Sequence, residues 1–329
     1  MKKILNKLFE QQRLTKQEAK EVLIQIANEK YNASQMASFL TVFMMRLISV
    51  NELAGFREAL LDLAVKVDLS EFNTIDLCGT GGDGKNTFNI STLTSFVVAG
   101  TGNKVAKHGN YGVSSVSGSS NMLEYLGYKF TNNEAILKKQ INEANICFLH
   151  APLFHPAMKA VGPVRKDLGL KTFFNMLGPL VNPSNPQNQL VGVFNLEVAR
   201  IYNYLLQKTS KSYGIIYSLD GYDEISLTSE FKLFTKNNEQ IITPEELGLK
   251  RLKQSDIFGG DSVAASAKIF VSILNGKGTE AQNNAVLANA AFALKIIDKN
   301  KSFETAFEEA KESLVSLKAK ESLTKLIRN

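Results

Sequence analysis

The stretch DLCGTGGDGKNTFNIST, residues 76–92, together with KVAKHGNYGVSSVSGSSNML, residues 104–123, decides how this chain folds and what it holds. It is dense in glycine and small hydroxyl residues and poor in side chains that build a core. Gly79, Gly81, Gly82 and Gly84 follow directly on TIDLC, residues 74–78, which reads as a short buried strand. Glycines at a strand's end let backbone amides approach a ligand closely, because no Cβ stands in the way. Amides presented so make an anion site, stronger still if the next helix aims its N-terminus at it. The expected ligand carries phosphate.

Two familiar phosphate sites are near-misses. GTGGDG satisfies G-x-G-x-x-G, but a dinucleotide site needs an acidic residue at the end of the second strand for the ribose hydroxyls. Here that strand, residues 104–106, ends in Lys107 and His108. Residues 79–85 also look like a P-loop, yet Asn86 stands where that loop needs Ser or Thr to hold magnesium. What remains is a glycine turn and a second polar loop with Lys107, Asn110, Ser114, Ser115, Ser117 and Ser119. Two such loops could enclose a ligand with phosphate at both ends.

Outward from this stretch, the 329 residues suffice for a substantial core and two domains. A 44% apolar, 21% charged composition is that of an ordinary globular protein. The net charge of +6 suits an anionic ligand, but the lysines are scattered among carboxylates, unlike a nucleic-acid footprint. Cys78 and Cys147 lie in apolar runs without C-x-x-C spacing and read as reduced, buried thiols of a cytosolic protein. No apolar run reaches membrane-spanning length, and the N-terminus lacks a secretory h-region. The expectation is a soluble, cytoplasmic protein.

Residues 1–67 read as helical throughout, with capping boxes at Thr15/Glu18 and Ser49/Glu52. Met36, Phe39, Leu40, Phe43, Met44 and Leu47 make a stripe at helical spacing, taken as core. From Asp68 short apolar runs (74–78, 104–106, 146–149, 190–194, 213–218) alternate with helices near 91–102 and 196–208. Such alternation predicts an α/β fold with a mostly parallel central sheet and flanking helices. Residues 162–183 interrupt it with a helix-like segment bounded by prolines, and 280–294 and 302–316 read as amphipathic covers.

Several residues admit two readings. Asp83 either accepts a backbone amide within its turn or acts through a metal or a ribose hydroxyl. Ser91 or Thr92 is a candidate N-cap, with hydroxyl contacts to a diphosphate as the added reading. Lys107, at a strand's carboxyl end, is placed to meet phosphate. His108 is a general base or a structural hydrogen-bonder. Asp223 and Glu224 are either a solvated turn or a magnesium pair. Arg165 is either solvated or a bidentate clamp for a carboxylate.

Taken together, the motifs resemble one family, the anthranilate phosphoribosyltransferases of tryptophan biosynthesis. The strings that carry the resemblance are GTGGD (79–83), NTFNIST (86–92), VAKHGN (105–110), SGS (117–119), HPAM (155–158), PVRKDLG (163–169), FNMLGPLVNP (174–183) and the pair Asp223–Glu224. They stand in family order. The resemblance implies a small helical domain from 1–67 and 165–186, a larger α/β domain from 68–164 and 187–329, and a homodimer joined through the helical domain. It implies transfer of the phosphoribosyl group of phosphoribosyl diphosphate (PRPP) to the amine of anthranilate, with Mg2+ required.

By the same resemblance, Gly79, Gly82, Asp83, Thr87, Asn89, Ile90, Ser91 and Thr92 surround PRPP from the first loop. Lys107, His108, Gly109, Asn110, Tyr111, Gly112, Val113, Ser114, Ser115 and Ser119 do so from the second. Ser91, Asp223 and Glu224 hold the magnesium. Gly79, Asn110 and Arg165 bind anthranilate, the guanidinium taking its carboxylate. No covalent nucleophile or firm general base is implied, since catalysis is by position and charge. The chain departs from the family in Tyr111, where Arg is frequent, and in Gly118-Ser119-Ser120-Asn121, where GSAD is frequent. A pyrimidine nucleoside phosphorylase would have no use for Arg165 aimed at a carboxylate or for the acidic pair. A nucleic-acid-binding relative would have lost that pair and gained clustered Lys and Arg.

Overall fold

The structure is a computed structural model that describes residues 1–112 and 116–328. It divides into two compact units, Met1–Lys66 with Ala151–Pro183 and Val67–His150 with Ser184–Asn329. The return to the helical unit thus begins at Ala151, not at 165, and ends at Pro183, not at 186. The reason is local. A strand ends at His150, a helical turn, Ala151–Phe154, starts at once, and Phe154 accepts the Val65 backbone N–H at 2.8 Å.

In the helical unit, helices Lys16–Ala27 and Val50–Leu63 begin with the expected capping boxes. Glu52 does more than cap. Fully buried, it accepts the Leu14 and Ser49 backbone amides at 3.0 and 2.8 Å and pairs with Arg46 at 2.6 Å. Phe39, Phe43, Phe56 and Phe173 pack as an aromatic cluster, with Phe56 stacked on Phe173 at 4.4 Å. The apolar stripe is therefore core as far as Phe43. Leu47 is exposed, because helix Ala33–Met45 stops and Arg46 turns extended.

The α/β unit is built on seven strands: β1 (Thr74–Gly79), β2 (Lys104–Gly109), β3 (Ile146–His150), β4 (Asn188–Gly192), β5 (Ser212–Ser218), β6 (Phe231–Phe234) and β7 (Glu239–Ile242). Their order is β3-β2-β1-β4-β5-β6-β7, parallel through β5 and antiparallel at β6 and β7. From β1 the chain builds outward to β2 and β3, then returns to the other side of β1 with β4. The order reverses between β1 and β4, and open α/β sheets bind ligands outside the strands' carboxyl ends at such a point.

Helix Ile90–Gly100 is buried along nearly its whole length, as is Glu280–Ile297 from Ala285 to Leu294. The latter, expected as an amphipathic cover, is core, because its alanines let it pack on several sides. Cys147 is buried, Cys78 half-buried, and both thiols are free.

Candidate active site

Gly79 and Gly192 end β1 and β4 as register partners, at the point where the strand order reverses. A Cβ on Gly79 would lie 2.3 Å from Asp223 Oδ2, and one on Gly192 would lie 1.4 Å from the Asp223 carbonyl oxygen. Two side-chain-free strand ends thus let the loop after β5 settle onto the sheet, and Asp223 is buried there. The Gly81 backbone amide donates to Asp223 Oδ2 at 2.7 Å, joining this loop to the glycine turn. Gly81, Gly82 and Gly84 all have positive φ, a conformation that glycine adopts at little cost.

Asp83, Asp223 and Glu224 converge here, with oxygens from all three within 4.8 Å of one another. Burial first, and then the charge of Asp83, push the Asp223 carboxyl up to about 7. Burial and the charge of Asp223 push Glu224 well above the ordinary carboxylate range, and burial raises Asp83 as well. Among the described residues Glu224 Oε2 is buried without a hydrogen-bond partner. Three mutually repelling carboxylates with an orphaned oxygen fit a hard divalent cation, for which oxygen donors are the natural set. Asp83 also accepts the Lys85 amide at 3.0 Å, the first of its two expected roles. Ser91 lines the same small cleft as Asp223 and Glu224.

Helix Ile90–Gly100 starts beside this cluster. Its N-cap is Asn89, in the left-handed conformation, not Ser91 or Thr92. Asn89 takes that place because its side chain is held from both ends, donating to the Ser117 carbonyl at 2.8 Å and accepting from Ser266 at 3.0 Å. Ile90, Ser91 and Thr92 form the first turn. The Thr80 and Thr92 hydroxyls are buried without partners among the described residues. Thr87 bridges to Phe258, and Gly259 donates to the Asn86 carbonyl at 2.8 Å, which fixes the stretch ahead of the helix.

β2 runs on through Gly109, so Lys107 and His108 lie inside the strand and are buried. Lys107 donates its ammonium to the Leu77 carbonyl, and burial lowers its pKa while Asp76, Glu224 and Asp223 oppose that. Beyond the strand, Asn110 accepts through its carbonyl from Ser120 N at 3.1 Å and from Ser119 Oγ at 3.4 Å. Asn121 Oδ1 accepts the Gly112 and Gly118 amides at 2.9 and 3.0 Å, holding the loop by its ends. Tyr111 donates to Glu124 at 3.2 Å and stands edge-on to His150, which stacks on Phe130. Val113, Ser114 and Ser115 lie outside the described residues.

Arg165 belongs to the helical unit, on helix Gly162–Leu168. It is half-buried, 3.4 Å from Asn175 Oδ1 and 5.3 Å above the Phe174 ring, and burial lowers its pKa.

Reading the sequence alone missed four supporting residues: Asp76, Gly192, Ser218 and Asn289. Asp76 is buried in β1 and accepts the His108 amide at 3.1 Å. Ser218 donates to the Glu224 carbonyl at 2.6 Å. The signals were present, a second glycine-ended strand in LVGVF and a lone Asn in an alanine-rich helix.

Comparison with known proteins supplies the family. Residues 71–320 match the α/β domain of the glycosyl transferase family, and residues 2–64 match its helical bundle domain. An anthranilate phosphoribosyltransferase of Flavobacterium psychrophilum is 63% identical over 326 residues, 99% of this chain and 98% of that one. This chain belongs to the anthranilate phosphoribosyltransferase family. Among solved members, the Thermus thermophilus enzyme matches with a TM-score of 0.92 at 31% identity, covering 98% of each chain. The Saccharomyces cerevisiae enzyme in complex with PRPP and Mg matches at 0.91 and 27% identity, covering 98% of this chain and 96% of that one. Family membership favours neither the nucleoside phosphorylase nor the nucleic-acid alternative.

Proposed function

We infer that this member of the family joins the amine of anthranilate to C1 of PRPP, releasing diphosphate, the second step from chorismate to tryptophan. The observation that carries this is the meeting of the glycine turn with Asp83, Asp223 and Glu224 at the reversal between β1 and β4. Relatives of that name, one of them solved with PRPP and Mg, support it.

As diphosphate leaves C1, negative charge grows on the leaving group and oxocarbenium character on the ribose. Groups already aimed at that charge lower the barrier most. The amides of Gly79 and Gly82, the Thr87, Ser91, Thr92 and Ser119 hydroxyls, and Asn89, Asn110 and Gly112 serve PRPP. Asp83, Asp223 and Glu224, with Ser91, hold Mg2+. When bound, that ion neutralises diphosphate charge as the C1–O bond breaks. Lys107, from within β2, draws the Asp223 and Glu224 carboxyls down and so offsets part of their mutual repulsion. Arg165 takes the anthranilate carboxylate, and its weak present bond to Asn175 is readily exchanged for one to an anion. The arylamine needs no base to make it nucleophilic, and the proton shed as the N–C1 bond forms passes to solvent or to the departing diphosphate.

We also propose a homodimer joined through the helical unit, supported by the exposed Phe9, Met45 and Leu47 on that unit. No described helix is long and apolar enough to cross a membrane. We place the enzyme in the cytoplasm, where its proposed substrates are small, charged metabolites.

The test is anthranilate fluorescence followed with PRPP, with and without Mg2+. Metal-dependent loss of signal with stoichiometric diphosphate is expected. Persistence of signal while PRPP still binds would mean a different acceptor.

A further inference from the structure

Asn289 is the one polar side chain in AVLANAAFAL, residues 285–294, a stretch buried at every position. Asparagine is a poorer helix former than the alanines around it. A buried amide is unfavourable unless its donors and acceptor are all used. Here they are. Asn289 Oδ1 accepts from the Ile225 N–H at 3.1 Å, and Nδ2 donates to the Ile225 carbonyl at 2.9 Å and the Ala285 carbonyl at 2.8 Å.

The two bonds to Ile225 close a ring around a single backbone residue, the one directly after Glu224. Asn289 also lines the cleft shared by Ser91, Asp223 and Glu224. The loop needs such a hold. Leu227, two residues on, has φ of 59°, a left-handed conformation that a leucine adopts only under constraint. A side chain offering one acceptor and one donor side by side matches the N–H and C=O of Ile225. Aspartate would lack the donor, and alanine or leucine would lack both groups.

We propose that Asn289 is a positioning residue for the cation-binding carboxylates. By gripping the Ile225 backbone it holds Glu224 and Asp223 where they converge with Asp83. The proposal rests on reading that cluster as the magnesium site. Partners one step behind metal ligands typically change metal affinity by about ten- to a hundredfold when removed.

The test uses the whole protein with PRPP and no anthranilate. Free Mn2+ is titrated by electron paramagnetic resonance, with PRPP alone as the blank. Asn289→Ala and Asn289→Asp are expected to raise the Mn2+ dissociation constant about tenfold or more. At saturating Mg2+ they should leave the KM for anthranilate within about twofold. Wild-type affinity for Mn2+ in both variants, whatever their Tm, would reduce Asn289 to packing and overturn the proposal. Equal Mn2+ binding by wild type and Asp223→Asn would overturn the metal site itself, a distinguishable failure. Should neither Asn289 variant fold, hydrogen exchange in wild type decides. The Ile225 amide must be protected in metal-free protein, and rapid exchange there would sink the idea.

Discussion

Asp223 and Gly81 are 142 residues apart in sequence, yet the carboxylate of one accepts the backbone amide of the other at 2.7 Å. The loop after β5 and the turn after β1 are thereby one object. A methyl group on Gly79 would fall 2.3 Å from the same carboxylate oxygen. Gly79→Ala should therefore weaken Mg2+ and PRPP binding together. The double change Asp223→Asn with Glu224→Gln should blunt the magnesium dependence while sparing the turn. Initial rates across a Mg2+ titration check both. An unchanged titration in the double variant would make the acidic pair an ordinary turn.

The acidic cluster also sets a pH dependence. Asp223 titrates near 3.9 when unfolded and is pushed up to about 7 when folded, by burial and then by Asp83. Between those values the folded state binds more protons than the unfolded one. The stability of metal-free protein should then fall as pH rises from about 4 to about 7. Mg2+ compensates the charge, so its affinity should increase over the same window and its binding should release protons. Thermal unfolding in EDTA and in Mg2+ across this range is the measurement. Parallel curves would refute the coupling.

Arg165 has no carboxylate partner among its described contacts, only the 3.4 Å bond to Asn175 and the face of Phe174. Arg165→Ala should raise the KM for anthranilate by about ten- to a hundredfold, the equivalent of one charge-assisted hydrogen-bond pair. The KM for PRPP should move by about twofold at most. Arg165→Lys should recover little, because an ammonium cannot make the planar two-point contact. Equal effects on both substrates would remove Arg165 from the acceptor site.

Glu52 anchors the helical unit, and truncating it to alanine would strand Arg46 and leave the Leu14 and Ser49 amides without their acceptor. Breaking a buried pair from one side costs about 3 kcal/mol or more. Urea unfolding should show that loss in Glu52→Ala. Glu52→Gln should retain part of it, since the amide oxygen still accepts.

The sequence made the chemistry more legible than the packing. GTGGD and the Asp223–Glu224 pair were readable because each combines residue types that a core rarely uses together. Lys107 was harder. A lysine at the apparent end of a short apolar run reads as reaching a phosphate beyond the strand, and only the pairing of β2 with β1 and β3 extends the strand through Gly109 and buries it. Asn89 was misjudged for a similar reason. Ser91 and Thr92 are also capping types and so compete with it locally, but Ser117 and Ser266, both distant in sequence, fix Asn89 in the left-handed cap position. Tyr111 and Asn121 looked like weakened family positions. Their bonds to Glu124 and to the Gly112 and Gly118 amides give each a definite task. The boundary at Ala151 was hidden because His150 ends a strand and the helical unit resumes with no linker between.

The far border of the sheet has a bearing on how this protein behaves in concentrated solution. An open strand edge presents unpaired amides and carbonyls, a template on which another chain can add itself. β3, on one side, is buried throughout and packed by helix Glu134–Ala144. The other side ends in β7, only four residues long, with Glu239 and Gln240 exposed and Glu239 paired to Lys232. Although Ile241 is also exposed there, so short an edge with a charge at its start is a poor seed for cross-strand aggregation, and it leaves a mostly parallel, slow-to-assemble sheet guarded at that side.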